Sequence, residues 1–183
     1  MTSDYIKHYL HFYCRFKRQY DYVATEVDLG VPFINYGNIA DLAVCNDKEL
    51  IEIEVKISLK DFKADFKKLK HEVYRGAEPD FLKREYIKKK YSYIIPNKFY
   101  FAIPNELYIK EKGALGVILK DFESYGLIVL SDTYHYVHTR SKKLHNTKPS
   151  RLIYDRIARR SSAEAYTARD KSKLCSPAEY LDS

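Results

Sequence analysis

The sequence predicts an α/β domain, a central mixed β-sheet flanked by α-helices. Three observations predict it. Apolar and polar residues alternate with a period of two over 22–29, 39–45 and 50–57, the pattern of strands. Apolar residues recur every three or four positions over 4–20 and 58–76, the pattern of amphipathic helices. The 183 residues, 45% hydrophobic and 31% charged, suffice for one folded domain with a real core.

In chain order, Tyr5, Tyr9, Phe12, Phe16 and Tyr20 form the stripe of a first helix. "YVATEVDL" (22–29) is the first strand, and "GVPFINYGN" (30–38) is a turn-rich connection with Pro32, Gly37 and Asn38. "IADLAVC" (39–45) and "LIEIEVKI" (50–57) flank the polar turn "NDKE" and form an antiparallel hairpin. Ser58 opens a helix that Gly76 stops, with Asp61 standing where a capping box has Glu. Its stripe is Leu59, Phe62, Phe66, Leu69 and Val73, with Lys60, Lys63, Lys67 and Lys70 largely off it.

Residues 74–97, dense in Lys and Tyr, read as an insertion forming an exposed lobe. "KFYFAIP" (98–104) is a buried strand ended by Pro104. "ALGVIL" (114–119) and "GLIVLS" (126–131) read as strands, and 134–140 pairs with the latter. After a basic linker, 149–166 is a closing helix with Pro149 near its start. The domain is expected over 1–168, followed by a loose polar tail at 169–183.

No apolar run approaches the roughly 20 residues of a bilayer span, and charges interrupt the N-terminus as they would not in a signal peptide. An intracellular, cytoplasmic protein without membrane contact is expected. Cys14, Cys45 and Cys175 are scattered and odd in number, which argues against a disulfide framework or a cysteine zinc site. The pairs His8/His11 and His135/His138 lack completing ligands and read as surface or packing residues. The net charge of +7 and pI near 9.1 favour a polyanionic partner such as nucleic acid.

The chemistry concentrates in "IEIEVKIS" (51–58), where Glu52, Glu54 and Lys56 alternate with aliphatics. Alternation sends the charges to one sheet face, and the hairpin brings Asp41 of the preceding strand towards them. Two carboxylates a few ångströms apart repel unless a cation lies between them. Hard oxygen ligands with open positions suit Mg²⁺, or Mn²⁺, and a phosphate oxygen. Lys56 can orient or help deprotonate an attacking water and offset charge developing on phosphate. That is phosphodiester hydrolysis.

The order D…E-x-K, with "AD" at 40–41 (Ala40 in place of proline) and "EVK" at 54–56, resembles the PD-(D/E)XK nuclease superfamily. Lys56 fixes the register, so that Glu54 is the E of E-x-K. The chain further resembles the MmcB-like branch of DNA-repair nucleases. Glu26 precedes "AD", and Ser58, Asp61, Phe62, Asp65 and Lys68 match its "S-x-x-D-F-x-x-D-x-K". "YFAIP" and "GLIVLSD" resemble its later strands, so the likeness spans 20–140 in outline.

The resemblance implies a restriction-endonuclease-like core with Asp41, Glu54 and the Val55 backbone carbonyl on the metal and Lys56 beside the phosphate. Glu26, Glu52 and Lys68 are secondary candidates. Glu52 departs from the family, which is apolar there. Asp61 and Asp65 read as cap and helix-surface ion pairs. Lys60, Lys63, Lys67, Arg140, Lys142, Lys143, Arg159 and Arg160 are candidate phosphate contacts, with Lys88–Lys90, Tyr86, Tyr91 and Tyr93 extending the track.

The expected activity is a Mg²⁺-dependent endonuclease acting on DNA in repair or processing. A homodimer is compatible, since cutting both strands needs two sites. The alternative is an inactive nucleic-acid-binding module of the same fold.

Overall fold

The computed structural model describes residues 1–30, 38–75, 95–132 and 134–174. Nearly all of the expected insertion, Lys88–Lys90 with Tyr86, Tyr91 and Tyr93, most of the 30–38 turn, and Cys175 lie outside the described residues.

Helix α1 (Ser3–Phe12) runs into one π-helical turn (Tyr13–Lys17) and leads to strands β1 (Tyr22–Asp28), β2 (Ile39–Cys45) and β3 (Leu50–Val55). Helices α2 (Leu59–Asp65) and α3 (Leu69–Tyr74) follow, then β4 (Lys98–Pro104), α4 (Asn105–Lys120), β5 (Gly126–Leu130), β6 (His135–Thr139) and α5 (Arg151–Leu174). The six strands form one sheet in sequence order. β1, β2 and β3 make an antiparallel meander, β4 and β5 run parallel to β3, and β6 returns antiparallel. This is the mixed sheet flanked by helices that the sequence predicts.

Parallel neighbours require a crossover, and a helix is the usual one. This explains the one element misread in type. Residues 114–119 belong to α4, which carries the chain from β4 back to the start of β5. A short apolar run such as "ALGVIL" fits either period, and only the topology decides. Leu115 of α4, Phe62 of α2 and Tyr74 of α3 pack in one cluster with Phe99, Phe101 and Val129, so both crossovers cover the same sheet face. On the opposite face, Ile6 and Leu10 of α1 pack on Val23, Leu42, Ile53 and Val55. Ile153 and Ile157 of α5 cover Ala24, Ala43 and Cys45 at the β1–β2 end.

Two consequences position the site. All six residues of β3 are buried, so the charged face of "IEIEVKIS" is roofed by helices rather than solvated. Second, the single helix expected over 58–76 is broken: Lys68 takes φ −71°, ψ 136° as the N-cap of α3. In a continuous helix Asp65 and Lys70, five positions apart, would point about 140° away from each other. The break lets both turn inward, and both are buried. The Ser58 cap forms as expected, its Oγ accepting from the Asp61 N–H at 3.2 Å. Helix α5 continues to Leu174 without a boundary at Arg169.

Candidate active site

The β1–β2 ladder runs Thr25↔Leu42 and then Val27↔Ala40. Between them Glu26 takes a left-handed φ of 51°, costing on the order of 1 kcal/mol or more for a residue with a Cβ. Ala24 and Val27, like Ala43 and Ala40, share one core cluster although three positions apart, so alternation slips at this point in both strands. Irregularities of this sort re-aim side chains. Here the half-buried Asp41 turns its Oδ2 onto the Val55 N–H, 2.8 Å away on β3. In an extended strand a residue's C=O lies on the same side as its N–H, which directs the Val55 carbonyl towards Asp41.

Beside them lies a closed ionic network. Lys56 Nζ is 2.9 Å from Glu54 Oε2 and 3.0 Å from Asp65 Oδ1. Lys70 Nζ bridges Glu54 Oε1 and Glu52 Oε1, 2.8 Å from each. Lys68, half exposed, pairs with Asp65 and reaches to 3.7 Å from Glu54 Oε2. Glu52, Glu54, Lys56, Asp65 and Lys70 are all buried.

A second layer fixes the first. Tyr74 OH donates to Glu52 Oε2 at 2.6 Å, and Asn38 Nδ2 donates to the Tyr74 oxygen at 2.7 Å. His71 Nε2 lies 2.9 Å from Asp65 Oδ2, and its Nδ1 lies 3.0 Å from Tyr125 OH. Because ionised Asp65 only accepts, the ring nitrogen that faces it, Nε2, is the donor of that bond.

The electrostatics follow from burial and partners. Burial opposes charge on Glu54, but Lys70, Lys56 and Lys68 outweigh it and hold the carboxyl below its usual range. Asp65 is likewise depressed despite burial, by its bond to His71 and by Lys70, Lys56 and Lys68. Burial acts to lower Lys56 and Lys70, yet their carboxylate partners raise both, so they remain ammonium groups. Asp41 differs: burial and the neighbouring Glu54 charge raise its pKa against the Val55 bond, Lys56 and Lys7.

Of the trio Asp41, Glu54 and Lys56, the last two meet at 2.9 Å, and Asp41 bonds the backbone N–H of Val55, the residue between them. Glu52 also joins the network, but with both oxygens engaged. Lys68 reaches it from the start of α3. Glu26 flanks it, half exposed, bonded to Lys7 Nζ at 2.8 Å with Arg160 at 3.8 Å.

Lys60, Lys63 and Lys67 are exposed on and just after α2, and Arg140 and Lys143 are exposed in the segment after β6. Lys143, with Arg75 and His145, lines a cavity of about 650 Å³ that Tyr74 and Tyr125 also border. Lys142 pairs with Glu123 at 3.2 Å. Arg160 donates to the Thr25 carbonyl at 3.0 Å and holds Glu164, while Arg159 is exposed.

Asp65 is corrected from a helix-surface charge to a buried anchor, and Lys70 from a residue off the apolar stripe to a buried cation. No pattern in the sequence marks His71, Tyr74, Tyr125 or Lys7 as part of this network. The signal for Lys70 was Glu52 itself, since a carboxylate on a fully buried strand requires a counter-ion. The histidine pairs serve packing or surface: His135 sits against Tyr9 and Tyr13, and His138 against Tyr108. Cys14 and Cys45 are buried free thiols.

Among the described residues, no three His, Cys, Asp or Glu side chains gather to hold a metal ion. The donors that fit a hard cation are the Asp41 and Glu54 carboxylates and the Val55 carbonyl. That small set suits Mg²⁺, which keeps several waters. Among the described residues Asp41 Oδ2 bonds only a backbone N–H, whereas Glu54 would exchange its Lys56 contact for the ion.

None of the described helices is long and apolar enough to cross a membrane. No family model matches the chain. No curated protein matches it either. A solved structure of a protein of unknown function from Silicibacter pomeroyi is similar at 16% identity and a TM-score of 0.44, covering 86% of this chain and 82% of that one.

Proposed function

We propose that this chain is a Mg²⁺- or Mn²⁺-dependent nuclease of the PD-(D/E)XK type, resembling the MmcB-like branch, that hydrolyses DNA phosphodiester bonds in repair or processing. The observation that carries the reading is the approach of Asp41 to the Val55 amide, beside Glu54 and Lys56. Asp41, Glu54 and the Val55 carbonyl hold the ion. When bound, it supplies Lewis-acid stabilisation of charge on the phosphate.

Lys56, 3.0 Å from Asp65, donates a hydrogen bond that orients the attacking water and adds positive charge beside the phosphate. Lys68 and His71 fix Asp65, and through it Lys56. The exposed Lys60, Lys63 and Lys67 hold the nucleic-acid backbone.

A second reading, an inactive nucleic-acid-binding module, is favoured by one observation. Both Glu54 oxygens already meet lysine ammonium groups, so this carboxylate is neutralised without a metal. Nicking of supercoiled plasmid in Mg²⁺, Mn²⁺ or EDTA separates the two. Metal-dependent nicking that Glu54→Ala and Lys56→Ala each reduce at least 100-fold supports the nuclease. Retention of DNA with no cleavage in either metal supports the module.

A further inference from the structure

Glu52 is one residue by which this chain departs from the family it resembles, and the structure gives it a partner. Lys70 Nζ lies 2.8 Å from Glu52 Oε1 and 2.8 Å from Glu54 Oε1, at 4% exposure. The remaining Glu52 oxygen is closed by Tyr74 OH at 2.6 Å, itself fixed by Asn38. A cation bridging two carboxylates in a dry pocket is also what a divalent ion does. The difference is that Lys70 carries a single charge tethered to α3.

The charge inventory agrees. Glu52, Glu54 and Asp65 meet Lys56, Lys68 and Lys70, three against three, and Asp41 adds a further carboxylate that lies in the field of Lys56 and Lys7 but forms no ion pair with either. One divalent ion can be accommodated on the Asp41 side of Glu54. A second, between Glu52 and Glu54, would have to displace a buried ammonium.

We infer that Lys70 is an internal cation filling the Glu52–Glu54 bridge, which limits this centre to one divalent ion held on the Asp41 side of Glu54. The inference rests on the nuclease reading, since that reading puts an ion there, but it concerns a different pair of carboxylates. The break between α2 and α3 is what delivers the ammonium. Lys70 reaches the sheet only because α3 restarts at Lys68.

Mn²⁺ binding, counted by electron paramagnetic resonance of the free ion without DNA, tests this on the intact chain. The wild type is expected to bind one ion, Lys70→Met two, and Glu52→Gln combined with Lys70→Met one again. Two ions in the wild type, or one in both the wild type and Lys70→Met, overturn the assignment of Lys70 and leave the nuclease reading standing. No ion in the wild type but one in Lys70→Met overturns the nuclease reading and keeps Lys70 as the internal cation. No binding by either overturns both. Should Lys70→Met be unfolded without metal, circular dichroism during Mn²⁺ titration replaces the count. Refolding by Mn²⁺ supports the inference, and failure to refold overturns it.

Discussion

Tyr74 isolates what a single polar atom does in the network. Its hydroxyl donates to Glu52 and accepts from Asn38, and the residue is buried. Tyr74→Phe keeps the ring in the aromatic cluster with Phe99 and His71 but leaves one carboxylate oxygen and one amide donor without this partner. An unsatisfied buried polar group costs about 1–3 kcal/mol, so urea unfolding should register a loss of about 2 kcal/mol. A loss under about 0.5 kcal/mol would mean that water reaches Glu52.

Asp65 makes the corresponding statement about protons. Its partners depress its folded pKa below the unfolded value of 3.8. The stability it contributes is therefore complete above about pH 4 and is lost as the pH falls through the lower folded value. Asp65→Asn should flatten the acid limb of stability against pH while leaving its alkaline limb alone.

Helix α2 has seven residues and could not persist in isolation. Its first turn relies on Ser58, whose Oγ satisfies the Asp61 N–H. Ser58→Ala should cost about 1 kcal/mol in urea unfolding, and Ser58→Asp should restore it, since Asp caps as well. An unchanged midpoint for Ser58→Ala would mean that packing of Phe62 alone holds the turn.

The sequence made this helix visible but hid its most consequential feature. The stripe Leu59, Phe62, Phe66, Leu69, Val73 keeps its period through the break, so periodicity offers no reason to end a helix at Asp65. The reason is tertiary: buried carboxylates on β3 draw in Lys70 and hold Asp65. The hairpin was legible because alternation and a polar turn are local, and Asp41 with Glu54 and Lys56 followed from it. The slip at Glu26 and Asp41, which aims Asp41 at Val55, leaves no mark in composition. Nor does a buried lysine look different from Lys60 or Lys63 earlier in the same run.

Across the whole molecule, the buried groups predict which alkaline conditions end the fold. Burial pushes the Cys14 and Cys45 thiols from 9.0 up to about 12. Between these limits the unfolded chain loses protons that the folded chain keeps. The stability these two thiols contribute is therefore complete below about pH 9 and falls as the pH rises towards 12. The net charge of +7 gives the remaining long-range term.

If the surface lysines of α2 and the turn after it contact phosphates, each releases condensed counterions from duplex DNA. Each then contributes about 0.9 to the slope of log affinity against log salt. Removing Lys60, Lys63 and Lys67 together should lower that slope by about 2–3 in EDTA, where no cleavage intervenes, and weaken binding alike for unrelated sequences. Lys142→Ala should change it less, because Lys142 is already paired with Glu123. Arg160→Ala should also act mainly on stability, since its guanidinium is committed to Thr25, Glu26 and Glu164. A slope unchanged by the triple substitution would move the DNA track off α2. Equal effects from Lys142 and the α2 lysines would show that net charge, not a placed surface, draws the chain to DNA.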